Sequence, residues 1–281
     1  MSTLFSAKAT AGLPAIALAS AKPLAEPGSA AAGEFPLRSS LFWMNNGKVD
    51  STWRYLARNC SDADRQAMVA WQVAHGMNTM IFLTYARGGD CVVNPFVQTY
   101  GPDVDWAEAS RWLELLAPGK SPGVNLVPCL FCDDDPETAR NEKFQNYYVP
   151  AACVALGKYS RAICIGLEMS EQFSRIGMER IIALCKQYTD KPIGVHLQWD
   201  RKSALPSGLD FLIYEHPWHP KDGDNHSAAE VASIGADVIA KSGLPVWFNE
   251  YNWNVEGQRI REQTRALAQL AGCVGVGGPL K

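Results

Sequence analysis

Short apolar runs alternate with amphipathic segments along most of the chain. Each run has the length of a strand and is rich in aliphatic or aromatic residues, which is typical of buried β-strands. Eight predicted strands follow one another at residues 40–45, 79–85, 125–131, 162–168, 192–199, 210–216, 245–250 and 273–278. Because helical patterns separate most of them, the sequence predicts parallel strands joined by crossover helices.

The segments between the runs carry the start and stop signals of helices. Ser61 is a typical N-cap residue, Asp62 and Asp64 follow it in the first turn, and Gly76 comes just after the last periodic position. Gly243 predicts a C-terminal cap in the same way. Helices are predicted near residues 62–75, 105–116, 151–159, 174–188, 227–241 and 255–271, with only a weak, short crossover after the fifth strand.

Eight strand-and-helix units close most naturally into a (β/α)8 TIM barrel. The sequence therefore predicts an α/β fold with a single barrel domain over residues 37–281. The chain stops just after the eighth predicted strand, so we expect the eighth helix to be missing or replaced. An open doubly wound sheet is the alternative, but no G-x-G-x-x-G follows the first strand and the chain has no P-loop.

Residues 1–36 are rich in Ala, Pro and Gly, which predicts an arm in front of the barrel. Residues 11–27 faintly resemble a secretory signal peptide, so a cleaved signal and a structural arm are both open. An ordered arm would have to lie against its own barrel or a neighbouring molecule, which allows a homo-oligomer or larger assembly through the arm. A cytoplasmic or virion-associated location is favoured slightly over secretion.

Composition excludes several classes of partner. The net charge of -3 and the sequence pI near 6.0 argue against general nucleic-acid binding. No apolar run reaches the ~18–20 residues of a membrane span. The eight cysteines are scattered, which is typical of reduced core residues rather than a disulfide framework. Cys129 and Cys132 have C-x-x-C spacing, but strand alternation would point their sulfurs to opposite faces, so no cofactor is predicted.

Polar residues accumulate at the carboxyl ends of consecutive predicted strands, where barrels place their chemistry. If alternate positions share a face, the inward residues are Glu168 on strand four, His196 and Gln198 on strand five, Tyr214 and His216 on strand six, and Glu250 on strand seven. The aromatic and amide residues near the same end are Trp43, Trp199, Trp218, Asn249 and Trp253. Together these side chains predict a binding site around two carboxylates.

The same alternation assigns the outward faces. It places Ile163, Ile165 and Leu167 under the helices on strand four, and Ile193, Val195 and Leu197 there on strand five. On strand six it places Leu212 on the inward face with Tyr214. On strand seven it places Val246 and Phe248 inward with Glu250, and leaves Trp247 outward.

Two other polar motifs point to a metal only weakly. His216 and His219 flank a Pro-Trp pair, but no third ligand has compelling spacing. The acidic run at residues 133–135 is typical of a helix N-cap, because Pro136 and Glu137 follow as in a first helical turn. No metal site is therefore predicted.

The segments GLEMSE (residues 166–171) and WFNEYNW (residues 247–253) resemble the clan A glycoside hydrolases, which are TIM barrels with a Glu ending strand four and another ending strand seven. The resemblance implies a glycosidase that cleaves a poly- or oligosaccharide by a retaining double displacement. It implies Glu168 as acid/base and Glu250 as nucleophile, and a hydrogen bond from Tyr214 to the nucleophile.

The chain departs from that family at two points. Leu167 stands where the clan usually has Asn before the acid/base, and the segment GVGGPL at residues 275–280 contains no strand-eight Trp. Glu171 is an alternative acid if strand four ends later. The departures keep open a non-catalytic carbohydrate-binding barrel in an adhesin or virion tail assembly, and a metal-dependent hydrolase that uses His216 and His219.

Overall fold

The computed structural model describes the backbone of residues 37–39, 42–45 and 48–51, and describes residues 61–84, 106–131, 141–215, 226–249 and 258–277 more fully. The predicted arm, residues 1–36, lies outside the described residues. So do Cys132 and the acidic run at residues 133–135. The division into an arm and a barrel therefore stays a prediction.

Ten strands lie within the described residues, and eight of them form one parallel sheet. They are β1 (Leu37–Ser39), β2 (Phe42–Asn45), β3 (Lys48–Ser51), β4 (Thr79–Leu83), β5 (Asn125–Cys129), β6 (Ile163–Cys164), β7 (Ile193–Leu197), β8 (Phe211–Glu215), β9 (Val246–Asn249) and β10 (Cys273–Gly277). The sheet order is β1-β10-β9-β8-β7-β6-β5-β4, with every pair parallel. This is the order of strands around a (β/α)8 barrel, followed from the first strand to the eighth and back to the second.

Within the described residues, six α-helices follow the strands, as the alternating pattern predicts. They are α1 (Asp62–Ala74), α2 (Trp106–Leu116), α3 (Glu142–Gly157), α4 (Arg175–Tyr188), α5 (Ala228–Ser242) and α6 (Gln258–Ala268). Ser61 caps α1 in a capping box with Asp64, and Gly243 ends α5 at φ 64. The stretch between β7 and β8 is described throughout and contains no helix, which confirms the weak crossover. The eighth helix stays a prediction, because the residues after β10 lie outside the described ones.

Two local predictions need correction. The first sheet strand is β1, which pairs with β10, whereas β2 pairs with β3 in an antiparallel hairpin. Asn46 and Gly47 separate β2 from β3, and this pair is the strongest short hairpin signal, so it outweighs the apolar run as evidence for a sheet strand. The third helix begins at Glu142 rather than near residue 151, and Pro150 lies inside it.

The apolar side chains form two layers, one on each face of the sheet. The layer under the helices includes, from the sheet, Ile163, Ile165, Ile193, Val195, Leu197, Leu212, Tyr214, Val246 and Phe248. The layer on the other face is the interior cluster, which consists of Ile81, Leu83, Val127, Cys129, Ala162, Cys164, Phe211, Ile213 and Trp247. The second face is the inward face, and polar groups that continue it belong to the mouth of the fold.

These layers confirm the predicted faces of β6 and β7 and reverse those of β8 and β9. Tyr214 and Phe248 pack under the helices, with ring centroids 6.2 Å apart, and Trp247 lies inside. Strands buried on both faces read as continuous apolar runs, so alternation alone cannot tell which set faces inward. Leu167 also departs from expectation, because it packs against the interior cluster.

None of the five described cysteines is in a disulfide, and Cys129, Cys153, Cys164 and Cys185 are buried. This matches the prediction of reduced core residues. Cys129 and Cys164 are register partners on β5 and β6, and their sulfurs lie 3.4 Å apart within the interior cluster.

Candidate active site

Four polar side chains meet where β7, β8 and β9 end, and we call them the mouth cluster: His196, Gln198, Glu215 and Asn249. His196 is fully buried on the inward face of β7, and its register partner is Ile213 of the interior cluster. Glu215 and Asn249 end their strands as register partners two positions beyond Ile213 and Trp247, so they share the inward face. Gln198 follows β7, is exposed, and donates from Nε2 to Oε1 of Glu215 at 2.7 Å.

Glu168 lies beside this cluster in an unusual backbone conformation. Its φ of 43 and ψ of 39 are left-handed, and it precedes a 3-10 turn over Met169–Glu171. A left-handed residue other than Gly, Asn or Asp is uncommon, and such strain concentrates at functional sites. Gly166 permits the turn, because a Cβ there would collide with the side chain of Met169. Glu168 is half-buried, whereas Glu171, at the end of the turn, is exposed.

His196 connects the mouth cluster to Glu168. The backbone N–H of Glu168 donates to Nδ1 of His196 at 3.4 Å, a long hydrogen bond. Since Nδ1 accepts, the neutral ring carries its proton on Nε2. Burial lowers the pKa of His196 to about 3. The ring is therefore neutral near pH 7, and Nε2–H is a buried donor with no partner among the described residues.

Asn249 is the second polar side chain buried without a described partner. It is fully buried, and neither Oδ1 nor Nδ2 forms a hydrogen bond with any residue of the described segments. Burying unpaired amide groups is costly, so native structures nearly always pair them with protein, water or ligand. Asn249 and His196 thus present donors and an acceptor at the ends of β9 and β7, on either side of β8, suited to a ligand rich in hydroxyls.

The structure brings together only some of the predicted site residues. It joins His196, Gln198 and Asn249 in one cluster with the backbone of Glu168. The side chain of Trp43 is not described, although its backbone lies on β2 opposite Asp50. The predicted site residues outside the described segments are Glu250, His216, Trp218 and Trp253.

Two aromatic residues are corrected. Tyr214 is buried under the helices, where desolvation raises its pKa, so strand geometry directs its hydroxyl away from the mouth. Trp199 packs into the same layer, and its Nε1 donates to the carbonyl of Ser203 at 2.8 Å. It therefore anchors the β7–β8 crossover instead of facing the mouth.

Glu215 is the mouth residue that strand alternation missed. With Tyr214 assigned inward, its neighbour Glu215 fell on the helix side. The overlooked signal is charge, because a carboxylate inside an apolar strand is rarely buried under helices unless it is paired. Glu215 marks the inward face of β8 more reliably than the aromatic residue beside it.

Neither a cluster of metal ligands nor a membrane-spanning helix is present in the described segments. Those segments contain no group of three or more His, Cys, Asp or Glu residues that could hold a metal ion. His216 and His219 lie outside them. Nor does any helix in the described part of the chain combine the length and apolarity needed to cross a membrane.

Several solved structures with a similar fold are described as glycoside hydrolases. A Bacteroides vulgatus ATCC 8482 protein described as a candidate glycoside hydrolase has a TM-score of 0.57 at 11% identity over 88% of this chain, and the chain spans about half (51%) of that protein. The GH113 β-mannanase AaManA from Alicyclobacillus acidocaldarius has a TM-score of 0.51 at 11% identity, covering 87% of this chain and 86% of its own. The endo-1,4-β-mannanase from Eisenia fetida has a TM-score of 0.54 at 9% identity, covering 85% and 89%.

No protein-family model matches the chain, and no curated protein sequence matches it. At 9–11% identity, the structural matches establish the fold and nothing finer. The predicted resemblance to clan A glycoside hydrolases is confirmed at that level: the chain has the parallel, helix-flanked sheet of these TIM-barrel enzymes.

Proposed function

We propose that the protein is a glycoside hydrolase that cleaves a poly- or oligosaccharide by a retaining double displacement. The proposal includes a closed barrel, with β1 and β4 as neighbours, and a carbohydrate as the natural partner. Glu168 acts as acid/base and Glu250 as nucleophile. His196, Gln198 and Asn249 hold the sugar, and Trp43, His216, Trp218 and Trp253 complete the binding surface.

One observation carries the proposal: His196 and Asn249 are fully buried at the ends of β7 and β9 and present polar atoms that no described residue pairs. Sugar hydroxyls both donate and accept hydrogen bonds, so they match the imidazole donor and the two-sided amide. Binding them would recover the hydrogen bonds that the buried groups lack among described residues. The fold supports the same conclusion, since similar structures are named as glycoside hydrolases.

A retaining double displacement requires two carboxyl groups about 5–5.5 Å apart across the scissile bond. Protonated Glu168 gives its proton to the glycosidic oxygen while ionised Glu250 attacks the anomeric carbon, which forms a glycosyl-enzyme and releases the leaving sugar. Glu168, now ionised, takes a proton from water as that water attacks the same carbon and frees Glu250. His196 holds the backbone of Glu168 throughout, because its Nδ1 accepts from that N–H.

Glu171 is the competing acid/base. It lies three residues beyond Glu168, after the 3-10 turn, and its backbone N–H donates to the carbonyl of Glu168 at 3.0 Å. Being exposed, it can reach a sugar in an open cleft, whereas Glu168 is half-buried beside His196. We expect substitutions at the two residues to differ in their kinetics on substrates with a good leaving group.

A non-catalytic carbohydrate-binding barrel is the second candidate, and the register of β9 favours it. Trp247 lies inside, so the inward positions of β9 are 247 and 249. A strand that continued with the same alternation would carry Glu250 to the helix side, away from a sugar. In that case, the mouth cluster would bind sugar without a nucleophile.

Hydrolysis of 1,4-β-mannan and other β-1,4-linked polysaccharides tests the proposal, with anomeric configuration followed by proton NMR. We expect the wild-type protein to release a product with retained configuration and Glu250→Gln to lose at least about 10³-fold in kcat. Removing the true acid/base should spare the first step on substrates with a good leaving group, because that departure needs no proton, while the second step slows for lack of a base. The initial burst of 2,4-dinitrophenolate from 2,4-dinitrophenyl β-glycosides with Glu168→Gln and Glu171→Gln therefore identifies which Glu donates the proton.

The outcomes separate the candidates. Inverted product rejects the double displacement but keeps hydrolysis. Unimpaired turnover by Glu250→Gln rejects that residue as nucleophile. Binding of oligosaccharide without any product supports the non-catalytic barrel. Activity lost on chelation and restored by a divalent cation would instead support a metal-dependent hydrolase.

A further inference from the structure

Glu215 has no role in the retaining mechanism, yet it is a buried carboxylate at the carboxyl end of a sheet strand. It is only 1% exposed, and its register partner is Asn249, on the neighbouring strand. Gln198 reaches down from the exposed rim and donates to Oε1 of Glu215 at 2.7 Å. The three side chains thus form a continuous polar wall from water to the floor of the mouth.

The chemistry of this wall is that of a sugar subsite. A carboxylate accepts hydrogen bonds at about four lone-pair positions, so the bond from Gln198 is compatible with further donors. Asn249 offers both a donor and an acceptor, and its amide is buried without a partner in the described segments. A hydroxyl that donates to Glu215 can accept from the Asn249 amide, and a neighbouring hydroxyl can use the remaining oxygens.

We propose that Glu215, held by Gln198 and paired with Asn249, forms a subsite that binds neighbouring hydroxyls of an uncharged sugar and disfavours acidic sugars. The inference rests on the proposed function for its sugar ligand but names a specificity-determining residue which the two-Glu mechanism does not need. Acidic sugars are disfavoured because their carboxylates would lie beside the Glu215 carboxylate, and juxtaposed like charges oppose binding.

The position of Gln198 argues for a ligand rather than a purely structural ion. Gln198 is exposed, so its bond links the buried carboxylate of Glu215 to the solvent-accessible rim of the mouth. The bond aims the carboxylate at the mouth instead of closing it within the core. Asn249 beside it stays unpaired in the described structure, as expected of a pocket wall that receives a ligand.

The test measures affinity without turnover. Full-length protein carrying Glu250→Gln is titrated calorimetrically with mannohexaose, cellohexaose and a mannuronate hexamer. Glu215→Gln keeps the side-chain shape and removes the charge. Glu114→Gln, on the exposed face of α2, is the matched control. We expect Glu215→Gln to weaken binding of the preferred neutral hexamer about 10- to 100-fold, the value of a hydrogen bond to a charged group.

A structural role would not change selectivity, so the ratio of affinities is the second readout. We expect the neutral-to-acidic preference of the parent to fall at least tenfold in Glu215→Gln and to stay unchanged in Glu114→Gln. Circular dichroism checks that each variant is folded. If Glu215→Gln does not fold, Gln198→Ala decides, since an exposed residue can be truncated safely; we expect at least threefold weaker binding of the neutral hexamer.

Each remaining outcome overturns the subsite. Equal behaviour of Glu215→Gln and Glu114→Gln would reject it and leave the glycosidase proposal intact, as would a parent that prefers the mannuronate hexamer. A parent that binds none of the hexamers, and a wild-type protein that hydrolyses no glycan, would reject both proposals together.

Discussion

Glu168 combines a half-buried carboxylate with a backbone conformation that L-residues rarely adopt. Holding a residue with a Cβ in the left-handed region costs about 1–2 kcal/mol. Here the neighbouring groups fix the conformation: the Glu168 N–H donates to His196, its carbonyl accepts from Glu171, and Met169 fills the space above Gly166. The strain is therefore maintained by the same residues that form the proposed site.

We predict that Glu168→Gly is more stable than Glu168→Ala by about 1 kcal/mol, because both lack the carboxylate and only Gly is unstrained at φ 43. Chemical denaturation of the two variants measures the difference. Ala70→Gly, at an exposed position inside α1, is the control and should destabilise by about 0.5–1 kcal/mol. A Glu168→Gly variant less stable than Glu168→Ala would show that the left-handed conformation is wrong.

His196 makes stability depend on pH in a defined direction. Burial lowers its pKa from 6.5 to about 3 in the folded protein. Between those values the unfolded chain binds a proton that the folded chain does not, so stability falls as pH decreases through this window. The slope from this one residue reaches about 1.4 kcal/mol per pH unit, and its contribution is fully present above pH 6.5.

We predict that His196→Gln flattens the loss of stability between pH 6.5 and pH 4. Equilibrium unfolding in guanidinium chloride at several pH values gives the slope for each variant. His75→Gln, at the exposed C-cap of α1, is the control for removing a histidine outside the core. Equal slopes in all three proteins would mean that His196 titrates as an exposed imidazole.

The sequence could predict which face of a strand points inward only where the two alternating sets of residues differ in size or polarity. On β7, Gly194 lies beneath the Phe211 ring and His196 follows it, so small and polar residues mark the inward face. On β8 and β9, both alternating sets are bulky and apolar, and the aromatic residues pointed to the wrong face. Only Glu215 and Asn249 carried the correct signal there.

At the scale of elements, helix ends were predictable because capping signals are local. Ser61 and Ser227 each accept from the backbone three residues on, in capping boxes. What the sequence did not indicate is how α1 packs against α2. Arg65 is 2% exposed, its guanidinium stacks 3.8 Å from the centroid of Trp112, and it donates to Asp62 at 3.0 Å. A buried arginine depends on its partners, which sequence periodicity does not reveal.

We predict that Arg65→Ala lowers the free energy of unfolding by about 2–3 kcal/mol, because packing, the cation–π contact and a charged hydrogen bond are lost together. Arg111→Ala is the matched control: it removes exposed bonds to Asp62 and Glu108 and should cost at most about 1 kcal/mol. Thermal and urea unfolding of both variants provide the comparison. Equal costs for the two arginines would show that burial adds nothing to the Arg65 contact.

At the scale of the molecule, a large part of the inward face is filled by one side chain of β9, which is the seventh strand of the barrel order. Trp247 on β9 is completely buried in the interior cluster, and a Cβ on Gly275 of β10 would lie 2.6 Å from its ring. The glycine-rich β10 thus makes room for an indole from its neighbour. The apolar floor beneath the mouth cluster depends on this one large side chain fitting against a strand without a Cβ.

Because the fit is steric, we predict that Gly275→Ala lowers the free energy of unfolding by about 1–3 kcal/mol, the usual cost of overpacking. Gly177→Ala inside α4 has room for its methyl group, which would lie 3.4 Å from Ser174 Oγ, and should raise stability by up to about 1 kcal/mol. Trp247→Phe alone leaves a cavity and is also destabilising. Combined with Gly275→Ala, however, it should cost less than the sum of the two changes, since the smaller ring gives the new methyl group space. Strict additivity in denaturant unfolding would contradict the contact between β9 and β10, and with it the inward assignment of Trp247 on which the position of Asn249 in the mouth depends.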